Sequence, residues 1–351
     1  MSAQSRTQHL TYALISSALA VTVLAGCTGS AGAKGTAHAE PEPAAVCENN
    51  IISEDDTTRT VKTAFGNVTI PKNPEKVIGL EGGTGPVLEA DLTPVATADN
   101  YEESYLPSEY AVVQDLPVVL SPDGWDFEKI ASLQPDLMVG FIRGGTEEKL
   151  SEEKTREWER LNSIAPTLLF RSNGSGSTKD VSCAIEVALG TESKAVASKT
   201  AYEKKAQEIK EKYADVLSTH TFVALDAYED VSVFSPLSWI GDILADAGVN
   251  TLPIAQNETK ENAAFLSFEE LTQVNDADVV LYSKTVDGQL DLGAQDLQNQ
   301  PTYNELAAVK KGNAYGITYF FADRYSTGLI ALESLEDVLE DLTLKAAKSQ
   351  P

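Results

Sequence analysis

From about residue 60 the chain alternates short apolar runs with longer amphipathic ones. "KVIGL" (76–80), "PVATA" (94–98), "LPVVL" (116–120), "DLMVGFI" (136–142) and "PTLLF" (166–170) read as buried strands. Between them, "PVLEADL" opens a helix after the Gly-rich turn "EGGTG". In "DFEKIASLQ" (126–134), Asp126 can cap a helix whose apolar stripe is Phe127, Ile130 and Leu133, with Pro135 as its stop. This rhythm predicts an α/β domain with a mainly parallel sheet. Residues 147–164 carry many charges around Leu150, Trp158, Leu161 and Ile164, the pattern of an amphipathic surface helix.

Residues 191–217 break the rhythm. They contain no Gly or Pro, and Tyr202, Ala206, Ile209, Tyr213 and Val216 recur at steps of four and three along one helical face. Glu208 and Lys212 are spaced to pair along it. One helix of that length spans roughly 40 Å, more than one layer of a small domain needs. The βα rhythm then resumes. "TFVALDAY", "VSVFS", "DADVVLYS" and "NAYGITYFF" are strand candidates, with helices near 237–247, 267–274, 302–309 and 327–342.

The two halves share a unit. "DFEKIASLQ-PDLMVGFI" (126–142) and "SFEELTQVNDADVVLYS" (267–283) align with one gap. Phe127 then matches Phe268, Glu128 matches Glu269, Ile130 matches Leu271, and Leu133 matches Val274. Asp136 matches Asp278 just before the strand. Ser267 and Glu270 have capping-box spacing. The expected organisation is a first lobe over 55–190, a linker helix over 191–218 and a second lobe over 219–351.

The N-terminus stands apart. Arg6 and His9 precede "YALISSALAVTVLAG", too short for a stable membrane span and suited to a secretory signal over residues 1–26. Leu24-Ala25-Gly26-Cys27 resembles the lipobox of bacterial lipoproteins, which implies cleavage before Cys27 and lipidation of its thiol. The stretch that follows is small, polar and rich in Pro and Gly, so 27–54 is expected to be a flexible tether. Cys47 and Cys183 remain, an even pair in an exported chain, and are expected to form a disulfide. The formal charge is −26 and the pI about 4.4. Losing the leader, with its single Arg6, makes the chain one unit more negative. That balance argues against nucleic acid and against adhesion to anionic lipid beyond the anchor.

The lipobox, "VTIPKNPEKVIGL", "DFEKIASLQPDLMVG", the linker helix and the late "AVKKGNAYGI" together resemble the iron–siderophore and cobalamin binding proteins of ABC importers. The resemblance covers about residues 58–343. It implies two Rossmann-like lobes, mainly parallel in their sheets and bridged by one long helix. A ligand would sit in the cleft between them, and the lobes would move little on binding. It also implies that one glutamate on each lobe docks into arginine pockets of the permease dimer, which works with its ATPase. The matching residues are Glu128 and Glu269. A monomer anchored outside the cell membrane is expected.

Open α/β sheets bind ligands at strand carboxyl ends. Trp125, Arg143, Arg171, Tyr228, Trp239, Arg324 and Tyr325 follow predicted strands and are the candidate ligand-binding residues. Of seven arginines, Arg143, Arg171 and Arg324 all fall at such ends. Clustered guanidinium groups suit an anionic ligand, and the Gly-rich turn 82–85 would add backbone N–H donors. The three histidines are His9 in the leader, His38 in the tether and His220 before a strand, too few for a zinc or manganese site of several imidazoles. No protein-held metal or cofactor is expected, and the iron would arrive as a ferric siderophore. Haem or cobalamin is the alternative ligand within the same transporter class. An anchored hydrolase is poorly supported: G-x-S-x-G, H-E-x-x-H, P-loop and C-x-x-C motifs are all missing.

Overall fold

The computed structural model describes residues 46–143 and 149–349. Cys27 and the leader lie outside them. In the first lobe, β1 (Ile51–Glu54), β2 (Thr58–Thr63) and β3 (Gly66–Pro71) form an antiparallel sheet. β4 (Val77–Gly79), β5 (Pro94–Thr97), β8 (Leu137–Arg143) and β9 (Thr167–Ser172) form a parallel sheet in the order β5-β4-β8-β9, and β6 (Leu120–Ser121) and β7 (Gly124–Trp125) make a small hairpin. Of the expected strand 116–120, only Val118 bridges to the parallel sheet, at Thr97.

The expected tether ends sooner than residue 54. Ile51–Glu54 pairs with β2, and Cys47 is joined to Cys183 on the helix Thr178–Leu189, with Cα atoms 5.5 Å apart. Both cysteines are buried. The polar composition up to residue 54 concealed a strand whose stability comes from its partners rather than from its own apolar surface.

The second lobe holds β10 (Phe222–Ala227), β11 (Val231–Phe234), β12 (Ala263–Leu266), β13 (Val279–Lys284) and β14 (Ala314–Thr318), in the order β12-β11-β10-β13-β14. β10, β13 and β14 are parallel, while β11 and β12 run antiparallel. This sheet is therefore mixed.

The linker is one long helix with a short second helix at its end. It runs Glu192–Lys212, breaks at Tyr213 (φ −110°, ψ 22°) and continues as Ala214–Thr219. Its 21 residues span about 30 Å. The predicted stripe is buried as expected, and it packs on the C-terminal helix Tyr325–Ser349. The break lets Val216 and Leu217 turn into the second lobe's core. Glu208 pairs with Lys204 (3.6 Å) rather than with Lys212, which reaches Glu336 of the C-terminal helix at 2.9 Å.

The shared sequence unit has a shared structural task. The Asp136 carboxylate accepts the Glu75 and Lys76 backbone N–H groups at 2.7 and 2.9 Å, at the entry to β4. Asp278 accepts the Thr221 N–H at 3.0 Å, at the entry to β10. In each lobe this aspartate aligns the start of a central strand with its parallel neighbour. The helix Phe127–Leu133 and the 3₁₀ turn Phe268–Val274 precede it, with Ile130, Leu271 and Val274 buried. Glu128 and Glu269 lie exposed in the first turn of each.

Candidate ligand-binding cleft

A cavity of about 470 Å³ opens between the lobes. Its first-lobe wall comes from the residues after β4 (Glu81, Thr84), those after β5 (Asp99, Tyr101, Tyr105), the β6–β7 hairpin, and the end of β8 (Phe141, Arg143). Its second-lobe wall is Trp239, Phe321 and Asp323. The walls are thus built from strand ends and the loops that follow them.

Trp239 begins the helix Trp239–Asp246, whose cap is the Ser238 hydroxyl accepting the Gly241 N–H at 3.0 Å. Its ring meets Phe321 edge-on at 5.6 Å, and the Arg143 guanidinium lies 5.5 Å from its centroid. Arg143 Nε donates to Glu81 at 2.6 Å. Asp99 accepts from the Tyr105 hydroxyl at 3.3 Å, and burial raises its pKa. Burial likewise pushes the Asp323 carboxyl up to about 6, Glu89 and Asp99 adding to the shift and Arg324 opposing it.

The second-lobe wall depends on a departure from strand geometry. β14 ends at Thr318, and Tyr319 adopts φ 53°, a left-handed conformation uncommon for a non-glycine residue. Its hydroxyl donates to the Tyr105 carbonyl of the other lobe at 3.0 Å. That turn brings Phe321 and Asp323 to the cleft, where "NAYGITYFF" alone predicts an unbroken strand.

Strand ends and loops of this kind do not by themselves identify a family, but residues 72–319 match the family model described as periplasmic binding protein. The chain belongs to the periplasmic binding protein family. Members are extracytoplasmic substrate-binding proteins of ABC importers and not enzymes. Among solved structures, the chain is similar to the siderophore periplasmic binding protein from the fuscachelin gene cluster of Thermobifida fusca. The identity is 30%, covering 78% of this chain and 98% of that one, with a TM-score of 0.69. Staphylococcus aureus SirA, solved with staphyloferrin B, shares the fold at 22% identity and a TM-score of 0.62, covering 80% of this chain and 98% of that one. The Bacillus subtilis iron(3+)-hydroxamate-binding protein YxeB is 24% identical over 84% of this chain and 88% of its own.

In this periplasmic binding protein, Arg143 and Trp239 line the cleft, Trp125 lines a smaller pocket that shares residues with it, and the four other sequence candidates line neither. Arg171 is excluded by strand alternation. On the parallel pair β8–β9, Ile142 lies opposite Arg171 and Arg143 opposite Ser172, so the two arginines point to opposite faces. Arg171 lines a separate groove with Lys62 and Asn50. Trp125 packs on the Ile78, Met138 and Leu161 core and lines a smaller pocket that shares Glu81, Phe141 and Arg143 with the cleft. Tyr228 sits in the β10–β11 turn, 87% exposed and away from the cleft walls. Tyr325 is buried against Tyr202, and its hydroxyl donates to Asp180 at 2.6 Å.

Arg324 is the largest correction. Its side chain is 0% exposed. It donates to both Glu109 oxygens at 2.9 and 3.0 Å, to Glu89 at 3.2 Å, to Asp323 at 3.2 Å and to the Ser104 carbonyl at 3.1 Å. Burial opposes its charge, but Glu89, Asp323 and Glu109 outweigh burial and raise its pKa. Arg324 therefore ties the second lobe to the first and has no donor left for a ligand. The glycine turn also serves packing. A Cβ on Gly82 would lie 1.5 Å from the Phe141 ring, one on Gly83 1.9 Å from the Val139 carbonyl, and one on Gly85 2.5 Å from Arg324. The helix it opens, Thr84–Glu89, has six residues, and the Gly83 N–H is already used by the Leu80 carbonyl at 2.8 Å.

The residues missed were acids and aromatics. Glu81, Asp99 and Asp323 satisfy the same after-the-strand rule that selected the arginines. A search for cations passed them over.

Proposed function

We propose that this protein is a lipoprotein, anchored through Cys27, that captures a ferric siderophore in the interlobe cleft and delivers it to an ABC permease. The observation that carries the reading is the cleft itself: an aromatic-walled cavity at the strand ends of both lobes, of a size suited to a small chelate. The similarity to the Thermobifida fusca siderophore binding protein supports the ligand class. Delivery rests on Glu128 and Glu269, exposed at matching places in the two lobes.

Trp239 supplies the test. Ferric siderophores titrated into the mature protein should quench its fluorescence saturably, with one chelate per chain, and Trp239→Phe should remove most of the signal change. Haem or cobalamin binding with its own absorbance shift, together with no response to any ferric siderophore, overturns the reading.

A further inference from the structure

The charge of the cleft is opposite to what its arginines suggested. Among the described lining residues the charged ones are Glu81, Asp99, Asp323 and Arg143. The single cation, Arg143, donates its Nε–H to Glu81 at 2.6 Å, so those two charges offset each other. Arg324, next to the floor, is closed off at 0% exposure. It also shares its one charge among Glu89, Glu109 and Asp323, so that network stays negative as a whole. Asp99 comes from the first lobe and Asp323 from the second; both line this one cavity, and Asp99 adds negative potential at Asp323. Glu81 and Glu103 add negative potential at Asp99, and Glu89 adds it at Asp323.

A ligand must also be held by something other than charge. Tyr101 stands 65% exposed at the rim, and Tyr105, Trp239 and Phe321 complete an aromatic wall. Rings beside carboxylates accept an alkylammonium well, since the ring faces attract the cation and the carboxylates take its N–H donors. The same arrangement repels a polyanionic chelate, whose charge would meet Asp99 and Asp323 in a partly desolvated site.

We propose that the preferred ligand is a cationic ferric siderophore, of the trihydroxamate class with a free ammonium arm held between Asp99 and Asp323. This rests on the ferric-siderophore reading above and narrows it to one charge class.

Three probes test it by fluorescence titration: ferrioxamine B, which carries a pendant ammonium; its N-acetyl derivative, which is neutral; and an anionic ferric tricatecholate. The expected order is ferrioxamine B, then the acetylated form about tenfold weaker, then the tricatecholate; tenfold is the low end for a close charge pair at an interface. Asp99→Asn should erase the preference for the ammonium. The ammonium preference should also fade as pH drops through about 6, where Asp323 takes up a proton. Equal affinity for ferrioxamine B and its acetylated form, or tighter binding of the tricatecholate, overturns the charge assignment and leaves the siderophore reading standing. Failure of every ferric chelate, with haem or cobalamin bound instead, overturns both. The comparison of probes on the unmodified protein needs no variant to fold.

Discussion

Removing the guanidinium of Arg324 should unfold the protein at lower temperature without acting on the ligand directly. Arg324→Met keeps a long apolar stem but leaves Glu89, Glu109 and Asp323 facing one another without their cation. Breaking a buried ion pair by deleting one partner costs about 3–5 kcal/mol. Arg324 is fully buried and makes five polar contacts, four to carboxylates, so the cost belongs in that range. With about 300 folded residues and an unfolding entropy of about 2.1 cal/mol/K per residue, stability changes by about 0.6 kcal/mol per degree near the midpoint. The expected fall in Tm is therefore roughly 5–8 °C, read by differential scanning calorimetry near neutral pH. Adding Glu89→Gln and Glu109→Gln should restore part of the loss, because amides tolerate one another where carboxylates do not. An unchanged Tm combined with a large loss of ferric-chelate affinity would refute the argument, since it would mean that the guanidinium faces the ligand.

Other outcomes follow from the same network and from the surface. Burial and the neighbouring Glu89 raise the Glu186 pKa to about 9 from an ordinary 4.5. The folded state then holds a proton that the unfolded state releases, so stability is fully present below about 4.5 and declines as pH rises toward 9. Glu186→Gln should flatten that decline in denaturant titrations across the window. Replacing Cys47 and Cys183 by Ala should cost about 2–5 kcal/mol, measured by urea unfolding, and a reductant should then have no further effect. Glu128→Arg with Glu269→Arg should leave ferric-chelate binding intact and stop uptake by cells. Normal uptake would make both glutamates ordinary surface charge.

How far the sequence reached depended on which physical signal each feature carries. The strands of the two sheets were visible because burial on both faces leaves continuous apolar runs, as in "DLMVGFI" and "DADVVLYS". The linker face was visible because Tyr202, Ala206 and Ile209 keep helical spacing, but the break at Tyr213 was not, since that spacing continues through it to Val216. β12 and the β1–β3 sheet were missed because short, half-exposed strands alternate weakly and draw their stability from pairing rather than from apolar runs of their own. In the cleft, Arg143 and Trp239 were found by the after-the-strand rule. Arg171 failed by one residue of alternation, which depends on pairing register. Arg324 failed because its partners, Glu89 and Glu109, lie more than 200 positions away in the chain, and no local pattern announces them.

The links between the lobes bear on how such a cleft selects its ligand. Besides Arg324, the Tyr319 hydroxyl reaches the Tyr105 carbonyl, Lys179 pairs with Asp242, Asn262 bonds Ser175, and the Gly176 N–H donates to the Leu237 carbonyl at 2.8 Å. Lys179, like Arg324, is buried. A wide hinge opening would have to break several of these at once and leave charged groups without partners, each break costing on the order of kcal/mol. Wide-open states are accordingly expected to be sparsely populated, with the cleft largely shaped before a ligand arrives. Selection then falls to what is fixed in its walls: the aromatic surfaces, the engaged Arg143 and the carboxylates of Asp99 and Asp323. A preformed site of that kind discriminates by charge and shape rather than by closure. In that case the buried arginine acts on specificity from a distance, by holding the two lobes and their acids in place.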